Sequence, residues 1–382
     1  MTDTQHRSAP AATISSTGAD ALGVITGLQT RAITAPLVRP WGHDVTELHL
    51  VEVTVSTSSG ITGRGFSWTP TIGATAVEAL LTADIAAFVV GAPADPAALW
   101  PRLWAHLHEA GSGGITTIAM AGVDLALWDA LGVAADSSIT ELLGSRRDTV
   151  EVYGSGVNRH YPIDDLIAQA QRWADTGYRM VKIKVGLPDL AEDVDRVAAV
   201  RDTIGPDVAL AIDANQLWDL PTARRAIAAL APFDLRWIEE PLRADDLAGH
   251  RALRDSIDVP IALGENLHTI YRFREAIDGG ACDIVQPNVI RVGGITPFLQ
   301  IAELADTHDT PVFPHLLPEL SGQLALSLAR STMVEDVEDA GMDRLGILAG
   351  PPPISVEGRL LVSRGLPGLG LTFTASPKGS NE

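Results

Sequence analysis

From about residue 23 to residue 65 apolar and polar positions alternate, as in Leu48-His-Leu-Val-Glu-Val-Thr-Val-Ser56, and glycines follow at 60, 63 and 65. A period of two over runs of this length predicts half-buried strands, and the glycines read as turns of an antiparallel meander. Residues 74–90, 96–110 and 116–131 then carry apolar side chains at three-to-four spacing, which predicts helices. Strands followed by helices imply an α+β module. After Arg146 the grammar changes. Short apolar runs recur at 151–156, 180–186, 208–215, 237–241, 260–266, 284–290, 311–315 and 333–338, their starts 22 to 29 residues apart. That spacing leaves room for one crossover helix in each interval, such as 164–176, 191–204 and 222–231. Eight such units without a glycine-rich phosphate turn predict an α/β fold, a (β/α)8-type TIM barrel, in preference to an open doubly wound sheet. The predicted organisation is a flexible tail at 1–20, an α+β capping domain at 21–146, the barrel at 147–345, and a C-terminal segment at 346–382 that packs back on the capping domain and completes it.

Composition narrows the function. The chain has 382 residues, 46% of them apolar and 20% charged, enough for a large core. Its net charge of −20 opposes phosphate backbones and anionic lipid, so neither nucleic acid nor membrane is an expected partner. Cys282 is the sole cysteine, which excludes an intrachain disulfide and suits a reducing, cytoplasmic setting. Residues 1–20 lack the continuous apolar stretch of a secretory signal, and no apolar run reaches the roughly 20 residues of a membrane span.

Three carboxylates, Asp213, Glu239 and Glu265, each close an apolar run and stand 26 residues apart. On neighbouring barrel strands they would converge at the catalytic face, where three anionic oxygens need a cation to coexist. Oxygen-only ligands suit one Mg²⁺. Upstream, Met180-Val-Lys182-Ile-Lys184 turns two ammonium groups to one face. Mutual repulsion and a nearby metal are expected to depress their pKa values, so that an amine can take a proton near neutrality. Asn215 follows Asp213 by two residues and is expected to hydrogen-bond a ligand oxygen. His315 ends the seventh run, across the barrel from the lysines, a placement for handling protons on two faces of one carbon. Glu335, on the last strand, is a candidate hydrogen-bond donor if protonated. Segments 38–43 and 66–72, carrying Trp41, His43 and Trp68, are candidate lids over a bound substrate.

At these residues the chain resembles the enolase superfamily, and within it the mandelate racemase subgroup. The Lys-x-Lys strand, Asp213-Ala-Asn215, Glu239-Glu-Pro241, Gly264-Glu-Asn266, the Gly293-Gly-Ile-Thr segment, the histidine strand and the helix Gly122-Val-Asp-Leu-Ala-Leu-Trp-Asp129 occur in the family's order. The resemblance covers nearly everything from Gly23 to Phe373. It implies that Asp213, Glu239 and Glu265 hold Mg²⁺, that Lys184 is a base with Lys182 its partner near the substrate carboxylate, that His315 is the second acid/base, and that Glu335 donates to the enolate. It also implies a homo-oligomer. One position departs: Asn288 stands where the subgroup usually has an aspartate holding the histidine. An amide orients the ring and can touch substrate but supplies no countercharge, so His315 is expected to be the weaker base.

The expectation is therefore a Mg²⁺-dependent enzyme that abstracts the proton α to the carboxylate of a small acid, most simply a dehydratase. A sugar acid as its substrate is implied by the resemblance. The alternatives are a 2-hydroxy-acid racemase or epimerase, a lactone cycloisomerase, and a catalytically silent binding protein.

Overall fold

The computed structural model describes residues 21–42 and 44–374. The predicted tail at 1–20, His43 and residues 375–382 lie outside them. Strands β1 (Ile25–Pro36), β2 (Glu47–Thr57) and β3 (Thr62–Thr69) form the expected antiparallel meander. Gly60 sits in the β2–β3 turn with φ +86°. Gly63 and Gly65 are not turn residues, as expected from sequence, but lie within β3. A Cβ on them would fall 1.9 Å from the Ala126 carbonyl and 2.3 Å from that of Gly122, so their role is to let a helix lie directly on the sheet.

That helix, Ile115–Ala135, is long and apolar enough to cross a membrane, yet every residue from Thr116 to Gly132 is buried inside the protein. It is apolar all round because it is covered all round. The meander covers one face. The other carries Asp124 and Trp128 into the barrel domain, where Thr296 N–H donates to Asp124 Oδ2 (3.0 Å) and Trp128 Nε1 donates to Thr296 Oγ1 (3.0 Å). Asp124 thus supplies from outside the acceptor that the first turn of helix Ile295–Thr307 lacks, since its N-cap is Gly294.

The barrel strands β4 (Thr149–Ser155), β5 (Met180–Lys184), β6 (Ala209–Asp213), β7 (Leu235–Glu239), β8 (Ile261–Leu263) and β9 (Ile284–Val285) pair in parallel in that order, and β10 (Met333–Val337) pairs in parallel with β4 to close the ring. The run expected at 284–290 shrinks to two residues because Pro287 cannot donate to a ladder. The seventh stave, expected at 311–315, is reduced to a bridge between Val285 and Val312, continued by His315 N–H donating to the Pro287 carbonyl (3.2 Å). Its seam with β10 is carried by side chains: Thr332 Oγ1 donates to the Val312 carbonyl, and Leu316 N–H to Glu335. One residue from each of seven staves, Tyr153, Met180, Ala211, Trp237, Ala262, Ile284 and Phe313, fills the interior beneath the catalytic face.

After the barrel, β11 (Ile354–Glu357) and β12 (Leu360–Ser363) form a hairpin whose second strand runs antiparallel to β4. Beyond it the chain reaches the meander domain. Leu369 N–H donates to Asp129 Oδ1 (2.7 Å), and the Phe373 ring meets Phe66 edge-on at 5.6 Å.

Gly294 holds the two domains together by what it lacks. Its φ is +114°, and a Cβ there would sit 2.2 Å from Asp124 Oδ2. Gly294→Ala is expected to destabilise the protein by about 2–4 kcal/mol, combining backbone strain with a lost helix cap. Chemical denaturation measures it; a midpoint equal to wild type would show that the domains do not depend on this contact.

Candidate active site

The acids and lysines reach one point because the strands alternate inward residues. Met180, Lys182 and Lys184 share a face of β5, Ala211 and Asp213 of β6, Trp237 and Glu239 of β7. Glu265 breaks the rule, standing three residues after the inward Ala262. Gly264 makes this possible, turning the chain with φ +147° in a space where a Cβ would meet Gln286 N at 2.7 Å. The other strand ends turn as sharply without glycine. Asn215, Gln216, Glu240, Leu316 and Leu317 all have left-handed backbones, immediately after Asp213, Glu239 and His315. Such residues cost of order 1–3 kcal/mol each and cluster at functional sites.

Ligand oxygens of Asp213, Glu239 and Glu265 lie within 4.8 Å of one another, and all three residues are buried. Lys182 Nζ lies 2.7 Å from Glu239 Oε1, 2.8 Å from Glu335 Oε1 and 3.7 Å from Asp213 Oδ2. Lys184 Nζ bonds Asp213 Oδ2. His315 Nε2 comes within 2.7 Å of Glu265 Oε2, but that oxygen has no aligned hydrogen-bond donor. An all-oxygen donor set with an unsatisfied buried carboxylate oxygen fits a divalent ion of the Mg²⁺ kind.

The electrostatics of the protein groups alone run against two expectations. Burial works against charge on Lys182, but Glu239 and Glu335 outweigh it and hold the amine well above the usual lysine range. Burial likewise opposes charge on Lys184, and Asp213 outweighs it in turn. The depressed values expected from sequence counted lysine–lysine repulsion and a metal; the acids alone exceed the repulsion, before the metal's opposing charge is counted. Glu335 is not a protonated donor. Burial would raise it, but Lys182 holds it well below the usual range, and its oxygens accept from Ser155 Oγ (2.7 Å) and Leu316 N–H (3.0 Å). Lys182 Nζ is its third neighbour, so Glu335 lies as an acceptor among three donors.

Glu240 is fully buried and accepts from Asn266 Nδ2 (2.7 Å). Burial, with Glu265 and Asp213 nearby, pushes it well above the usual carboxylate range. Burial also raises Glu239 to about 8 against the pull of Lys182. Asn215 curls back, its N–H donating to Asp213 Oδ1 (2.8 Å), and stands exposed at the mouth. Asn288 Nδ2 lies 3.0 Å from His315 Nδ1.

Of the candidate lids, the described part of the first, residues 38–42, reaches the barrel. Arg39 Nη2 is 2.6 Å from Asp165 Oδ2 and its guanidinium lies 3.4 Å over the Tyr161 ring, while Trp41 is half-buried. Trp68 is corrected: it belongs to β3, is 4% exposed, and packs in the hydrophobic core instead of tipping a loop.

Sequence reasoning missed the residues that aim the acids and the base. Gln286 Nε2 donates to Glu239 Oε2 (2.6 Å), and Asn158 Oδ1 accepts from the backbone N–H of Lys184 (2.9 Å). Gln286 had a signal, standing two residues before Asn288 on the same inward face; Asn158, on a loop, had none.

Residues 25–144 match the mandelate racemase/muconate lactonizing enzyme N-terminal domain, and residues 165–376 match the enolase C-terminal domain-like family. The chain belongs to the mandelate racemase/muconate lactonizing enzyme group of the enolase superfamily. Among similar proteins of that group is the 3,6-anhydro-alpha-L-galactonate cycloisomerase of Streptomyces coelicolor, 39% identical over 76% of this chain and 80% of the relative. The L-talarate/galactarate dehydratase of Salmonella typhimurium is 36% identical over 77% and 74% respectively. The crystal structure of L-talarate dehydratase from Polaromonas sp. JS666, complexed with Mg and L-glucarate, shares the fold with a TM-score of 0.82 and 37% identity, covering 92% of this chain and 95% of that one.

Gln286→Ala should leave Glu239 unaimed and weaken Mg²⁺ binding about 10–100-fold. Titration calorimetry with Mg²⁺ checks this; unchanged affinity would show that Gln286 does not support a metal ligand.

Proposed function

We propose that this protein is a Mg²⁺-dependent dehydratase of hydroxylated sugar acids. Asp213, Glu239 and Glu265 hold the ion, Lys184 is the base, and Lys182 and His315 share the site. The observation that carries this reading is the convergence of three buried carboxylates beside Lys184, in a family whose relatives include dehydratases of such acids.

The hydrogen α to a carboxylate is far too weakly acidic for an amine unless the charge that develops is stabilised. Bound to the three acids, Mg²⁺ would supply Lewis-acid stabilisation and oppose protonation of the nearby amines. Lys182, held between Glu239 and Glu335, adds a fixed positive charge behind the substrate carboxylate. Lys184 takes the α-proton, and the C–H electron pair moves toward the carboxylate. When that pair returns to form the C=C bond, the β-hydroxyl leaves on the His315 wall as water. The resulting enol ketonises to a 2-keto-3-deoxy acid. Asn215, exposed at the mouth, and the half-buried Trp41 would meet the remainder of the substrate, whereas Asn288, buried with its amide bonded to protein groups, would act only through His315; the capping domain, residues 21–146, reaches the barrel through the Arg39 contact. A cytoplasmic homo-oligomer completes the proposal; the buried Cys282 supports a reducing setting.

Cycloisomerisation is the second reading, favoured by the cycloisomerase relative. It uses the same base and metal with a ring oxygen in place of the hydroxyl.

With Mg²⁺ and a panel of aldonic and aldaric acids that includes L-talarate and galactarate, at least one should yield a 2-keto-3-deoxy acid, detected as its semicarbazone. Lys184→Ala should lower kcat about 10²–10⁴-fold. Full turnover by that variant sinks the base assignment, and a panel without any keto acid product sinks dehydration.

A further inference from the structure

We infer that Asn288 fixes His315 as a hydrogen donor through Nε2, so that protons are exchanged with carbon from the Lys184 wall alone. This deepens the proposed function and rests on it for the reaction class, though not for the state of the ring.

Asn288 is fully buried, so its amide must be satisfied by protein groups. Its Oδ1 accepts two backbone N–H groups, from Ile290 (3.0 Å) and Arg291 (3.0 Å). Those two bonds decide which end of the amide is oxygen, because a flipped amide would set its NH₂ against two donors. Nδ2 therefore faces His315 Nδ1 at 3.0 Å, and an amide nitrogen can only donate. Nδ1 must offer its lone pair, which places the hydrogen of a neutral imidazole on Nε2. That atom faces the chemistry, 2.7 Å from Glu265 Oε2 and 3.9 Å from Glu335 Oε2.

A second hydrogen on Nδ1 would meet the NH₂ group donor to donor, and escaping that clash by a flip would strand two backbone N–H groups in a buried site. An aspartate at 288 would reverse the preference, accepting from Nδ1–H and freeing the Nε2 lone pair to act as a base.

The consequence is a division of labour between the two walls. A racemase must remove hydrogen from either face of the carbon, and His315 with Nε2 already protonated cannot do so. A neutral imidazole is, however, a competent donor to an oxygen that is taking up charge. As the β C–O bond breaks, its electron pair leaves with the oxygen, which takes the Nε2 hydrogen and departs as water. The ring regains a proton from solvent, and Lys184 releases the one it took from carbon.

Nitrogen NMR of the magnesium-loaded full chain, carrying ¹⁵N-histidine, tests the ring directly, with the His315 signals assigned by their loss in His315→Asn. The expected pattern is an unprotonated Nδ1 and a protonated Nε2; a protonated Nδ1 in wild type overturns the inference. Asn288→Asp should move a hydrogen onto Nδ1. With galactarate in D₂O, wild type should return substrate deuterated with retained configuration, and Asn288→Asp should raise formation of its epimer talarate at least tenfold relative to keto acid. Epimer from wild type as fast as keto acid would also overturn it. Were galactarate and every other acid inert, the dehydratase reading would fall while the ring measurement still decided the role of Asn288.

Discussion

Charge balance inside the barrel is the constraint on which the rest depends. Five buried carboxyl groups, Asp213, Glu239, Glu240, Glu265 and Glu335, face two buried lysines. Were all ionised, three negative charges would remain in a space whose walls are hydrocarbon and whose floor is the Tyr153–Trp237–Phe313 plug. The strain of that arrangement is visible in Glu239 and Glu240, both pushed up by burial and by their neighbours. A divalent cation on three of the acids offsets most of the imbalance, and the lysines then answer chiefly to the substrate. The site is therefore incomplete as an electrostatic object without its metal, which ties the state of the lysines to binding of the ion.

Holding like charges together demands rigid support, and the fold supplies it at the strand ends. The left-handed residues after Asp213, Glu239 and His315 turn the chain sharply off the catalytic face, and Gly264 shifts Glu265 by one position so that a fourth strand can contribute. Side-chain braces then fix each group: Gln286 for Glu239, Ser155 for Glu335, Asn158 for the Lys184 backbone. The capping domain bears on the same frame through Asp124 and Trp128 on Thr296. Its long helix aims at the segment that follows Asn288, so the domain interface and the histidine wall share one loop.

Much of this was legible in the sequence, and the pattern of what was not is physical. The eight-unit alternation, the three acids and the lysine pair follow from period and spacing, because parallel strands of equal length deliver their last residues to one face. Strand lengths in the second half did not follow, since Pro287 and Pro314 leave backbone groups that only long-range partners can satisfy. Gly63 and Gly65 looked like turns because a glycine reads the same whether it frees φ or makes room for a helix. Trp68 looked like a lid tip because a strand end and a loop start have similar composition. The direction that the acids impose on the lysines was missed for a different reason: it depends on distances between side chains 29 to 153 positions apart, which no local pattern carries.

Asn288 shows how one atom can select among reactions that a scaffold otherwise allows. On the proposed mechanism dehydration, cycloisomerisation and racemisation all begin with loss of the α-proton, and the acids, the metal and Lys184 would serve each equally. What separates them is the second event, which is delivery of hydrogen either to carbon or to a departing oxygen. A partner for Nδ1 that accepts makes the opposite wall basic; a partner that donates makes it a donor. The exchange of a carboxylate oxygen for an amide nitrogen changes neither the shape nor the packing of the barrel. Its effect depends on the amide being unable to turn, and that is secured by the N–H groups of Ile290 and Arg291. Specificity between reaction classes would then reside in a backbone turn outside the ring of metal ligands, at the point where the capping domain is anchored.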